Sequence, residues 1–285
     1  MKIAFWSEQR KTGTTFNMAV VASASVFMYP LTVAVISGGY QDKDLEKNFK
    51  RNHEWRSPLT EQQQSYEFSK DYLFVADQEE YFISRGLDCL LYKDKREDLT
   101  EGVIKANMRQ VIKDRMYCMP GSRKKEQEWW YTDRRFSRLS RVMGAVEECF
   151  DVVFIDCGSR KDDFAQKMLK EADVCVLNMD QSEELIGDYY RNPPALRGKT
   201  FFLVGNYFQD ALYTRKNLER LYRVEENILG AIPYNPQLQA ASQTGRIQGG
   251  VRKYIDKGMK GKNILFEQEL MRTVRLILKQ AGVIA

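Results

Sequence analysis

The chain has 285 residues, 43% of them apolar and 29% charged, which is ample for a packed core and typical of a water-soluble globular protein. A formal net charge of +5 permits a weakly basic surface but does not demand a polyanionic partner. His53 is the only histidine and none of the five cysteines forms a C-x-x-C pair, so histidine triads, multi-histidine metal sites, zinc knuckles and a disulfide framework have no basis here; reduced core cysteines of a cytoplasmic protein are expected.

The first stretch is the most informative. Lys2 to Trp6 is a short apolar run with strand character, Ser7 to Thr15 is a polar loop, and Phe16 to Met28 is a charge-free run long enough for a helix. Strand, loop and buried helix in that order form a phosphate-binding layout, in which backbone N–H groups at a helix N-terminus face an anion. Set against G-x-x-x-x-G-K-[ST], the loop is degenerate: Glu8 replaces the first glycine and Thr14 the lysine, while Gly13 and Thr15 are kept. The absence of charge from Thr12 to Tyr40 superficially suggests a membrane span. Pro30 interrupts it, and Leu31 to Ile36 is β-branched and runs into Ser-Gly-Gly, so a buried helix, a turn and a buried parallel strand explain the stretch better.

Residues 41–64 read as a polar surface connection with a short helix carrying Leu45 and Phe49. Residues 66–76 fit strand or helix equally. The spacing predicts a helix over Glu79 to Tyr92 and a second through Val103, Ile104, Met108, Val111 and Ile112. Arg115 to Met119 predicts a strand ending at Pro120-Gly121, followed by a loop in which Arg123, Lys124 and Lys125 either contact an anion or partner or are simply solvated. Phe136 to Cys149 has the pattern of an amphipathic helix.

Phe150 to Gly158 is the second informative stretch. Four consecutive apolar residues ending in Asp156 describe a buried parallel strand that delivers a carboxylate to the carboxyl edge of a sheet, where open α/β sheets bind ligands and nucleoside triphosphatases hold magnesium. Elements then alternate: helix Asp162 to Ala172, strand Val174 to Asn178, helix Ser182 to Tyr190, strand Phe201 to Gly205, helix Thr214 to Tyr222, strand Ile228 to Ile232, and a final helix at about Leu265 to Gln280 within residues 263–285. The alternation predicts an α/β fold with a doubly wound, mostly parallel sheet flanked by helices, as one domain over residues 1–285.

These stretches, with Glu171-Ala-Asp-Val-Cys-Val-Leu-Asn178, Phe202-Leu-Val-Gly-Asn206 and Leu229-Gly-Ala-Ile-Pro-Tyr-Asn-Pro-Gln-Leu-Gln-Ala-Ala-Ser242, resemble the ParA/MinD branch of P-loop nucleotide-binding proteins over most of the chain. The resemblance implies ATP and Mg2+ as cofactors. It places phosphate contacts on Arg10, Lys11, Thr12, Gly13, Thr14, Thr15 and Phe16, a magnesium site on Thr15 and Asp156 with Gly158 beside it, and base contacts on Asn206, Pro233 and Tyr234. Family loops read K-G-G-x-G-K-[ST]-T, with one lysine on the phosphates and one reaching across a dimer. Here Thr14 and Gln9 stand at those places, and Ile36-Ser-Gly-Gly-Tyr40 stands where the family has an aspartate near the attacking water. Losing a cation and a water-orienting carboxylate predicts weak or absent hydrolysis with binding retained.

The resemblance therefore implies a nucleotide-dependent localisation or partition factor of the cytoplasm, similar to the atypical TadZ and CpaE proteins, acting as a homodimer with a protein partner. The alternative left open is a nucleotide-free scaffold that binds a protein, DNA or membrane surface, since Glu8 beside the pocket would repel an anion if turned inward. Arg252, Lys253, Lys257, Lys260 and Lys262 before the final apolar helix suit DNA or membrane contact, whereas the core-like spacing of that helix suits docking on the sheet.

Overall fold

The computed structural model describes residues 1–9, 11–38, 44–49, 73–76, 79–82, 86–93, 98–119, 121, 133–159, 163–182, 197–256 and 264–285. The chain runs through β1 (Lys2–Trp6), α1 (Thr14–Met28), β2 (Val33–Ser37), α2 (Asp44–Phe49), β3 (Leu73–Ala76), β4 (Glu79–Phe82), α3 (Leu87–Lys93), α4 (Glu101–Ala106), β5 (Arg109–Ile112), β6 (Met116–Met119), α5 (Asp133–Cys149), β7 (Val152–Gly158), α6 (Asp163–Glu171), β8 (Val174–Met179), β9 (Thr200–Tyr207), α7 (Arg215–Tyr222), β10 (Leu229–Pro233), α8 (Pro236–Gln243), α9 (Ile247–Asp256) and α10 (Ile264–Gln280).

Eight strands form one sheet in the order β10-β9-β8-β1-β7-β2-β6-β5. Every neighbouring pair is parallel except β5 with β6, which is antiparallel at the edge. β1 lies between β7 and β8, so the loop that follows it opens where the strand order reverses, the place at which open α/β sheets form a crevice.

Alternate residues of the same strands feed opposite layers. Ile3, Phe5, Val33, Val35, Phe154 and Val176 join α1, α2, α8, α9 and α10 on one face. Ala4, Ala34, Ile36, Val153, Ile155 and Cys175 join α3, α4, α5 and α6 on the other. Leu218 of α7 completes a smaller cluster over β9 and β10. Burial on both faces is why these strands read as unbroken apolar runs. The charge-free stretch from Thr12 is the centre of the first layer: ten consecutive residues of α1, Asn17 to Val26, are buried. Among the described residues no helix is long and apolar enough to cross a membrane.

Two sequence expectations need correcting, and one stretch left unassigned is filled. Glu79–Phe82 is a strand paired antiparallel with Leu73–Ala76, and the helix begins only at Leu87. Aromatic Tyr81 and Phe82 favour the pleated form once a partner strand lies two residues away. The helix through Val103 stops at Ala106, where the Asn107 side chain donates to the Val103 carbonyl at 2.8 Å, and Met108 precedes a strand instead of continuing the helix. Asp114, with φ 56, then turns β5 back against β6. Residues 236–256, unassigned above, hold two helices; the Asn235 side chain caps the first and Pro236 occupies its first turn.

The final helix is docked. Phe266, Leu270, Val274, Ile277 and Leu278 are buried, and the Thr273 hydroxyl donates to the Ala231 carbonyl while accepting the Ala231 N–H, both at 3.0 Å. The helix expected over Ser182 to Tyr190, the loop of Arg123, Lys124 and Lys125, and Lys257, Lys260 and Lys262 lie outside the described residues.

Candidate functional site

After Trp6 the chain is turned by Ser7, whose N–H donates to the Gly158 carbonyl at 2.9 Å and whose hydroxyl donates to the Gln9 carbonyl at 2.7 Å. Lys11 and Gly13 both sit in the left-handed region, with φ 68 and φ 81, and curl the loop over the start of α1. Gly13 is the N-cap of that helix. As a glycine it offers no side-chain cap and no acidic residue lies in the first turn, so among the described residues the 15-residue helix has no side-chain acceptor recorded on its N-terminal N–H groups.

The loop is pinned from below. Asn17 donates from Nδ2 to Asn178 Oδ1 at 2.6 Å, and Asn178 donates from Nδ2 to the Thr12 carbonyl at 2.6 Å. Both amides are 1% exposed. The end of β9 closes the same corner: a Cβ on Gly205 would meet Asn17 Nδ2 at 2.3 Å and the Thr12 carbonyl at 3.1 Å, so only glycine fits there. The buried hydroxyls of Thr12 and Thr14 lie 3.1 Å apart and share a hydrogen bond.

Asp156 sits near the end of β7, 2% exposed, with Oδ1 accepting from the Gly158 N–H at 3.0 Å. Gly158 ends the strand with φ 56. Beside it, Gly38 donates to the Asp156 carbonyl at 2.8 Å. A Cβ at Gly38 would lie 2.6 Å from that carbonyl and 2.4 Å from the Phe164 ring.

Asn206 is exposed with φ 48, and its Nδ2 lies 3.9 Å from where a Gly13 Cβ would be, so it faces the loop. Pro233 is buried at the end of β10, and the Tyr234 N–H donates to the Tyr207 carbonyl at 3.0 Å. Tyr234 stacks on Phe208 with ring centroids 5.3 Å apart, both rings being roughly half exposed. They border an open cleft of about 350 Å3 that also includes Pro233 and Asn235.

No protein-family model matches the sequence, and no curated protein matches it either. Solved structures do. A ParA family ATPase from Chlorobium tepidum superposes with a TM-score of 0.63 at 12% identity, over 96% of this chain and 98% of that one. The septum site-determining protein MinD from Pyrococcus horikoshii, solved with Mg-ADP, gives 0.63 at 13%, over 99% and 97%. A plasmid partition protein from Borrelia burgdorferi, bound to AMPPNP, gives 0.59 at 13%, over 98% of both chains.

The fold is that of the ParA and MinD ATPases.

Within the ParA/MinD fold, the sequence-predicted residues Lys11, Thr12, Gly13, Thr14, Thr15 and Phe16 all fall in the β1–α1 loop and first turn; Asp156 and Gly158 end β7 on one side of β1, and Asn206, Pro233 and Tyr234 fall at the ends of β9 and β10, beyond β8 on the other. Arg10 lies outside the described residues. The backbone fits an anion, because the uncapped amides and the helix dipole are in place. The lysine position does not supply charge: Thr14 is buried against Thr12, and the nearest described cation in the loop, Lys11, is exposed. Among the described residues no three acidic, cysteine or histidine side chains gather as a metal site. Thr15 and Asp156 are the residues that would hold a magnesium ion, an ion that keeps much of its water and needs few protein ligands. Asn17, Asn178 and Gly205 were missed in the sequence; each amide is the polar member of an apolar run, which is the signal that could have marked it.

Proposed function

We propose that the chain binds ATP with magnesium at the β1–α1 loop and uses the bound state to control association with a protein partner or surface, hydrolysing the nucleotide slowly or not at all. The amides of Gly13, Thr14 and Thr15 receive the phosphates. Thr15 and Asp156 hold magnesium, which when bound neutralises phosphate charge. The base lies toward Asn206, Pro233 and Tyr234. The observation that carries this reading is the uncapped N-terminus of α1 beneath a loop fixed by Asn178. Such a site is preorganised for an anion and needs no further ordering to receive one.

Slow turnover follows from two positions. Thr14 cannot stabilise charge on a transferring phosphoryl group as lysine does, and the Gly38 corner leaves no room for a water-orienting carboxylate against Phe164 and Asp156. Titration of a fluorescent ATP analogue, with and without magnesium, tests the proposal. Saturable, magnesium-dependent binding is expected, weakened about tenfold or more in Thr15→Ala and Asp156→Ala. Equal affinity in all three proteins would remove the site, provided thermal melting shows each variant folded.

The shared hydrogen bond of Thr12 and Thr14 favours one other reading, a scaffold that keeps the fold and binds no nucleotide, since the loop interior satisfies its own hydroxyls. Absence of a saturable signal at millimolar analogue would select it.

A further inference from the structure

A second cleft, of about 600 Å3, opens where α8 and α9 meet the end of α1 and strand β5, and no residue of the β1–α1 loop lines it. We propose that this cleft binds a small amphipathic organic anion: an apolar body of acyl-chain or aromatic size carrying one carboxylate or phosphate.

Its volume lies within the range of small-molecule sites, and its lining has the composition such a ligand needs. Phe27, Val111, Ile112 and Leu238 supply apolar walls from the end of α1, from β5 and from α8. Arg246, Arg252 and Lys253 stand on the rim, all exposed. Arg252 is held in place by Asp256, with Nε 2.8 Å from its carboxylate, and lies over the Phe27 ring at 5.9 Å. Among the described residues neither Arg246 nor Lys253 forms an ion pair, and both line the cleft.

Two adjacent glycines in α9 separate a packing need from a binding need. A Cβ at Gly250 would meet Leu238 Cδ2 at 2.7 Å and Ala241 Cβ at 3.2 Å, so the contact between α8 and α9 explains that glycine. A Cβ at Gly249 would meet nothing within 4 Å. Glycine weakens a helix relative to alanine, and no internal contact requires it at 249. Bare backbone on an open cleft wall is what close approach of a ligand requires. A nucleic acid backbone would use the cations and leave the apolar walls idle; an amphipathic anion uses both.

The proposal does not rest on the nucleotide reading. Its test uses the full chain in saturating ATP, with anilinonaphthalene sulfonate as fluorescent probe and decanoate as competitor. Decanoate is expected to displace the probe and decanol is not. Gly249→Leu fills the cleft without touching the fold; its melting temperature should hold or rise while decanoate affinity falls about tenfold or more. Arg246→Glu with Lys253→Glu should lose decanoate and admit decylammonium instead. A folded Gly249→Leu variant that binds decanoate like the wild type overturns the proposal. So does equal displacement by decanol, or binding of anionic vesicles or an acidic helical peptide through this cleft when decanoate does not bind.

Discussion

Asn17 on α1 and Asn178 at the end of β8 are joined by a 2.6 Å side-chain hydrogen bond, and Asn178 passes the connection on to the Thr12 carbonyl. Two buried amides thereby set the position of a loop backbone that has threonine, Thr14, where a phosphate-binding lysine would stand. Asn178→Ala would leave the Asn17 amide and the Thr12 carbonyl unmet in a dry corner. The expected loss is about 2–4 kcal/mol of stability, with weaker binding of the ATP analogue because the loop is no longer preorganised. Urea unfolding gives the first quantity and the titration gives the second.

Gly205 makes the same corner sterically exclusive. Gly205→Ala places a methyl 2.3 Å from Asn17 Nδ2, and the expected cost is about 1–3 kcal/mol from forced displacement. Combining it with Asn17→Ala relieves part of that clash, so the double variant should be less unstable than the sum of the singles by about 1 kcal/mol. Strict additivity in a double-mutant cycle would show that the Gly205 constraint acts elsewhere.

What could be read from the sequence follows the physics of burial. β1, β2 and β7 to β10 lie between two helical layers, so each announces itself as an apolar run, and Asp156 stands out at the end of one of them. β4 and β5 were read as helix, and β3 was left open between strand and helix, because short strands borrow their conformation from a partner and local periodicity over so few residues fits a helix equally well. The replacement of lysine by Thr14 was visible, but the inward turn of its hydroxyl onto Thr12 was not. Asn17 and Asn178 are 161 residues apart, and no local pattern carries a contact over that separation.

The buried stripe of α10 predicts that this helix serves the core and not a lipid surface. Leu270 is fully buried, and Leu270→Ala should cost about 2–5 kcal/mol in urea unfolding. The folded wild type should stay in the supernatant when sedimented with anionic vesicles, because the apolar face such a helix would insert is already occupied. Vesicle binding without loss of folded structure would mean that α10 can leave the sheet.

Cys175 makes stability fall at alkaline pH. Burial pushes its thiol up from 9.0 to about 11, Lys199 offsets part of that shift, and the Sγ donates to the Leu169 carbonyl at 3.2 Å. Above pH 9 the unfolded chain gives up this proton while the folded chain keeps it. Fewer protons are then bound on unfolding, and stability falls as pH rises until the folded thiol also ionises near 11. One such group contributes a slope of at most about 1.4 kcal/mol per pH unit. Cys118, fully buried, is pushed up further by the same desolvation and contributes in the same direction. Urea midpoints measured at pH 8, 9 and 10 should decline for the wild type, and Cys175→Ala should reduce that decline by the share of one proton. An identical pH dependence in the variant would mean that Cys175 is not the group that titrates.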